Sequence, residues 1–284
     1  MNWSAVTSAI TALTAVGALV FTAQSLNATR DQVALAEQGQ ITDRYTKAID
    51  QIGTQGPEHL QTRLGGVYAL ERLARDSPRD QPTIVEVLSA FIRGGLPQPT
   101  QGSFVAAGCP AQTSLSLDTR AALTVLGRRD HDKDQSTNTD LQSTCLGGAD
   151  LRGMNLTGAV LIGADLVGAF FANANLTNAK LNNAKLDGAK LGFANLTDAS
   201  LVNASLVGAD LVTADLTGAS LDGANLTHAD LADANLSRAV LYGADLTGAD
   251  LTHAKLSGAN LGSVTHPGAK TDGATKDGAV GAWW

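Results

Sequence analysis

Three patterns of apolar and polar positions follow one another along the chain. From Trp3 to Ala23 the residues are apolar, Ser or Thr without a break, and residues 1–29 carry no charge. As a helix this 21-residue run rises ~31 Å, about the hydrocarbon thickness of a bilayer. It therefore predicts a single transmembrane anchor, with a secretory signal and a buried soluble helix as the alternatives. No Lys or Arg precedes the run, and the residues after it match a cleavage site poorly, which weighs against a signal peptide. Arg30, Arg44 and Lys47 follow it, so the positive-inside rule places the N-terminus outside and the bulk of the chain in the cytoplasm.

The second pattern has helical spacing. Ile41, Tyr45, Ile49 and Ile52 recur at steps of three and four, as do Leu60, Leu64, Val67 and Tyr68, then Leu70, Leu73 and Ala74; both stretches predict amphipathic helices. Pro82 predicts the first turn of a third helix, through Ile84, Val85, Leu88 and Ile92, which Gly94-Gly95 ends. Asp118 predicts the N-cap of a fourth, through Ala121, Leu123, Val125 and Leu126 to Gly127. Residues 96–116, rich in Pro, Gln, Gly and Ser, read as a loop, and residues 128–139 as a solvated connector.

The third pattern has period five. Stepping from Leu141 to Leu261, 24 of 25 positions are Leu and one, Phe171, is Phe. Two residues earlier, from Ala149 to Ala259, Ala fills 22 of 23 positions, the exception being Met154. Period five fits neither a 3.6-residue helix nor a two-residue strand, so the repeat predicts a solenoid that turns a corner at each unit. Gly, Asn, Asp, Ser and Thr fill the intervening positions, as turns require.

Units such as Ala-Asp-Leu-Val-Gly (164–168), Ala-Asn-Leu-Thr-Asn (174–178) and Ala-Asp-Leu-Thr-Gly (244–248) resemble the pentapeptide-repeat proteins, whose signature is A(D/N)LXX, over residues 139–263. The resemblance implies a mainly β fold, a right-handed quadrilateral β-helix with four pentapeptides to a coil and Leu and Ala facing inward. At ~4.8 Å per coil the rod is ~30 Å long. The preceding stretches 37–47 and 63–72 are similar to the N-terminal region of bacterial, actinobacterial-type membrane-anchored members, a group without an established activity. The expected organisation is an anchor at 1–29, a helical capping and linker region at 30–138, the solenoid at 139–263, and a degenerate repeat with a C-terminal cap at 264–284.

A twenty-residue coil stacks residues twenty apart. Asp210, Asp230 and Asp250 then line one face at ~4.8 Å intervals, an edge for a cation or a basic partner, or simply the family's preferred residue bonding to local backbone. On the same face Phe170 and Lys190 precede them, with Phe193 three residues beyond Lys190. These aromatics form a docking patch or lie under the protein's own helices. Past Leu261 the central Leu gives way to His266, Thr271, Lys276 and Gly281. The apolar ending with Trp283 and Trp284 is expected either to fold back as a lid over the open bore or to meet a second copy as a homodimer contact, as related gyrase-protecting members do.

Charge and cysteine content narrow the function. Twenty Lys plus Arg against 27 Asp plus Glu give a net charge of −7, which argues against direct nucleic-acid binding. The two cysteines, Cys109 and Cys145, suit no zinc module; flanking the fourth helix, they pair if that region lies outside the cell and stay reduced in a cytoplasm. The five His are scattered, no phosphate cradle or nucleophile elbow occurs, and a convex rod offers no dry pocket, so neither catalysis, a cofactor nor a metal is expected. The expected function is a membrane-tethered scaffold, held through residues 3–23, that binds a cytoplasmic protein. The alternative is a DNA-mimicking protector of a type II topoisomerase, which the lysines at 180, 185 and 190 disfavour by interrupting a mildly acidic rod.

Overall fold

The computed structural model describes residues 3–95, 109 and 115–281. Four helices come first: α1 (Trp3–Ile52), α2 (Leu60–Asp76), α3 (Gln81–Gly95) and α4 (Leu117–Arg128). In α1 the hydroxyls of Thr7, Thr11, Thr14, Thr22 and Thr29 each donate to a carbonyl three or four residues back, so these polar groups are satisfied within the helix. The helix therefore continues unbroken past Arg30. Its last turns bury Ala48 and Ile52 against α2, where Gly66 permits the approach: a Cβ there would stand 2.7 Å from Ile52 Cγ2 and 2.8 Å from Ala48 O.

The sequence-derived helix limits mostly hold. Pro82 lies in the first turn of α3, which Gly95 ends. The N-cap of α4 is Ser116, whose Oγ accepts from Thr119 N, rather than Asp118. Asp118 is instead buried in the first turn and bound by Arg63 Nε at 2.5 Å, an ion pair that ties α2 to α4. The loop reading of 96–116 lies largely outside the described residues.

From Asp140 to Val280 the chain winds as a four-sided coil. Parallel bridges join residues twenty apart, from Asp140 with Val160 to Asn260 with Val280. From Leu146 onward the central residue's carbonyl at each corner accepts from the N–H three residues on, as Leu146 O does from Ala149 N at 3.0 Å. The residue two after each Leu has positive φ, 66° at Gly148 and 60° at Asn173, the requirement of a type II turn. The N–H of each Leu bonds to the next coil and that of the residue before it to the previous one, exemplified by Leu146 N to Asp165 O and Asp165 N to Thr144 O. Leu141–Leu261, Phe171 and the alanines are buried in one apolar core continuous with the helices.

The helices close the start of this bore. Leu123 and Leu126 of α4 join the core, and Gly127 rests against Met154, the one position in the Ala series that must reach a helix instead of a coil. Arg93 Nη1 donates to Asp140 O at 2.6 Å and pairs with its carboxylate. Gln81 Nε2 holds Asp130 O and Asp134 Oδ1, while Arg129 pairs with Asp134 in a buried contact. Cys109 and Cys145 form a disulfide with Cα atoms 5.5 Å apart, fastening Cys109, ahead of α4, to the first coil; of the two alternatives the sequence leaves open, the fold contains the pair.

The expected fold class is corrected in two respects. Among the described residues no strand exceeds a single bridge residue, because turns leave only one residue on each side free to pair. The extended regular elements are helices, so the described structure is not mainly β. Nor is any described helix long and apolar enough to cross a membrane. Residues 3–23 are the beginning of α1, and their Ala, Ser and Thr content keeps the run too weakly apolar for the expected anchor.

Candidate interaction surface

One side of the coil carries, bridge by bridge, Asp150, Phe170, Lys190, Asp210, Asp230, Asp250 and Lys270. The structure thus brings six of the residues singled out from sequence onto one ladder or its edge, and adds Lys270, which one more twenty-residue step from Asp250 would have found. Phe170 is 44% exposed and Phe193 66%, so the described helices cover neither ring. Lys190 makes no ion pair among the described residues.

Phe193 occupies the corner column of Gly153, Asn173, Thr213, Asp233, His253 and Gly273, at φ 60°. Left-handed backbone suits Gly and Asn; an exposed aromatic there stores strain without the compensation of burial. A fourth member of the patch was missed in the sequence. Arg152, two residues after Asp150, lies over the Phe170 ring at 5.9 Å and binds the Asp150 carboxylate with two nitrogens, at 2.8 and 2.7 Å. That bidentate contact, ahead of every other influence, holds the Asp150 carboxyl below its ordinary range.

Beside Arg152 the junction of α4 with the first coils leaves a cavity of about 240 Å³. Leu115, Leu123 and Met154 line its apolar part, Arg120, Thr124, Asp150 and Arg152 its polar part. Arg120 is exposed and forms no ion pair among the described residues. Its position on α4 gave no sequence signal, because only the fold sets the helix against the ladder.

The aspartates further along bond mainly to their own turns. Asp210 Oδ1 accepts from Val212 N, Asp230 Oδ1 from Ala232 N, and Asp250 Oδ1 from the N–H and hydroxyl of Thr252. Asp250 Oδ2 also pairs with Lys270 Nζ at 2.9 Å. Among the described residues no group of three or more His, Cys, Asp or Glu converges to hold a metal ion. Tyr242, 55% exposed on a different corner, is another surface aromatic that sequence reading passed over. Trp283 and Trp284, the expected cap or dimer contact, lie outside the described residues.

The chain is similar to several solved structures. HetL, a pentapeptide repeat protein involved in heterocyst differentiation regulation from the cyanobacterium Nostoc, is 35% identical over 51% of this chain and 75% of its own, with a TM-score of 0.44. Rfr23, a pentapeptide repeat protein from the cyanobacterium Cyanothece, is 30% identical over 48% of this chain and 87% of its own, with a TM-score of 0.25. QnrB1, a plasmid-mediated fluoroquinolone resistance protein, is 18% identical over 49% of this chain and 87% of its own, with a TM-score of 0.36. Comparison with curated proteins finds no match. The family model of pentapeptide repeats (8 copies) matches residues 137–168, 155–192, 194–231 and 224–262. With its five-residue period, its twenty-residue coil and these matches, the chain belongs to the pentapeptide repeat family.

Proposed function

We propose that this repeat scaffold works without catalysis, by docking a protein partner on the patch formed by Phe170, Lys190 and Phe193. The observation that carries the reading is Phe193: its ring is 66% exposed, on a backbone at φ 60° that an aromatic side chain adopts only at a cost. Among the described residues the ring is too exposed for burial to repay that cost, whereas contact with a partner would. Arg152 lies over the Phe170 ring, and arginine packed with an aromatic side chain is a pairing enriched at interfaces.

The Cys109–Cys145 disulfide favours a compartment that sustains disulfides over the cytoplasm, so the partner is sought there. The DNA-mimic alternative gains no support from the ladder, where Phe170, Lys190 and Lys270 interrupt the negative field that a phosphate mimic needs.

The test compares co-purification by tagged full-length protein and by a variant with Phe170, Lys190 and Phe193 all replaced by Ser. A discrete protein retained by the first and lost from the second, with both melting at similar temperatures, supports the reading. Identical recovery by both overturns it.

A further inference from the structure

The cavity at α4 and the exposed patch are parts of one strip. Arg120 and Arg152 stand at the cavity, Phe170 takes the guanidinium of Arg152 on its ring, and Lys190 follows one coil further on, with Phe193 at the adjacent corner. Among the described residues Asp150 is the one carboxylate that this part of the ladder and the cavity lining contain, and Arg152 already pairs with it. The strip therefore retains the charges of Arg120 and Lys190 on a protein whose net charge is −7. Immediately beyond it the sign reverses at Asp210 and Asp230.

We propose, resting on the docking function above, that this strip receives an acidic segment of a partner protein in extended conformation. Carboxylates of the segment meet Arg120 and Lys190, and an apolar side chain between them enters the cavity among Leu115, Leu123 and Met154. Coils ~4.8 Å apart place Lys190 ~10 Å along the rod from Asp150, and an extended chain covers that distance in roughly three residues. The aspartates at 210 and 230 fix where the segment stops, since further acidic residues would meet like charge. Phe193 closes the outer edge of the strip and shields the charge contacts from water.

Two other occupants predict different behaviour. A nucleic acid would lay phosphates across Asp150 and Asp210 as well as the cations, and its affinity would extend to any single strand. A second copy of this chain would set its Asp210 and Asp230 against Lys190, making association depend on the concentration of the protein alone.

The experiment uses the full-length protein and a fluorescein-labelled Glu-Glu-Phe-Glu-Glu peptide, followed by anisotropy at low salt. The labelled Lys-Lys-Phe-Lys-Lys peptide, an oligothymidylate and sedimentation of the protein alone serve as comparisons. Saturable binding of the acidic peptide is expected, weakened at least tenfold by Arg120→Glu and by Lys190→Glu and unchanged by Lys255→Glu on another side of the coil. Phe193→Asn, which installs the residue found one coil earlier at Asn173, is expected to weaken binding at least threefold while raising the melting temperature. Loss of fold would lower both, so the two effects separate contact from stability. Equal binding of the basic peptide, preference for the oligonucleotide, self-association abolished by Lys190→Glu, or indifference to the charge reversals would each overturn the proposal. If the co-purified partner persists while the acidic peptide fails to bind, the docking function stands and the acidic chemistry falls; if no partner depends on the patch, both fall.

Discussion

Lys270 Nζ lies 2.9 Å from Asp250 Oδ2, across the gap between two successive coils. With the Thr252 hydroxyl as the largest influence, Lys270 next and the Thr252 N–H after it, the Asp250 carboxyl is lowered from 3.8 to about 2. A depressed acid stabilises the fold above its unfolded pKa, and that contribution disappears as pH falls from about 4 towards 2. Lys270 is exposed to solvent, which screens the pair and keeps its contribution small. An NMR titration of the Asp250 carboxyl should find its midpoint near 2. Lys270→Ala should raise that midpoint while leaving it below 3.8, because the Thr252 bonds remain.

The bore predicts sharper losses. Leu211 is fully buried mid-rod, and Leu211→Ala should cost about 2–5 kcal/mol in urea unfolding, with the cavity it leaves setting where in that range it falls.

Corner residues predict changes of opposite sign. Thr213 is β-branched at φ 58°, so Thr213→Asn should stabilise the protein by about 1 kcal/mol. At Gly218 the backbone sits at φ 68°, which any Cβ disfavours, while the nearby Asp198 carboxylate can turn aside, so Gly218→Ala should destabilise it by about as much. Thermal unfolding of the two variants, side by side, checks the turn geometry.

The disulfide closes a loop with a sequence separation of 36, for which chain-entropy arguments give about 3–4 kcal/mol. Protein folded under oxidising conditions should expose no reactive thiol to Ellman's reagent after denaturation, and Cys145→Ser should lower its unfolding free energy by that amount.

On the ladder Asp210, Asp230 and Asp250 run for only two coil steps, ~10 Å, before Lys270 ends the series, whereas a duplex carries a charge every ~1.7 Å. The full chain, added stoichiometrically to a gyrase supercoiling assay containing a quinolone, should leave inhibition unchanged.

What the sequence makes legible is whatever repeats. Leu every fifth residue, shadowed by Ala, can be buried only by a chain that turns at each unit, so the coil, its inward residues and the stack of Phe170, Lys190 and Asp210 follow from counting. Counting does not show that the sides are too short for strands, which depends on how many residues each turn consumes. The anchor expectation fails at Thr7, Thr11, Thr14 and Thr22, whose hydroxyls bond back into α1: helix is retained, but the apolarity that a bilayer demands is not. Arg120 and Arg152 escape sequence reading because their proximity depends on where α4 lies against the first coils, and the cysteine pairing stays one of two alternatives there because residues 109 and 145 meet only once the coil has formed.

The most direct test of the docking surface places a photo-crosslinking benzoylphenylalanine at position 193 in cells that make the protein, with the same residue at position 255 as the control. A discrete crosslinked protein at 193 and none at 255 is the predicted result. Identical crosslinking at the two positions, or none at either, would contradict it.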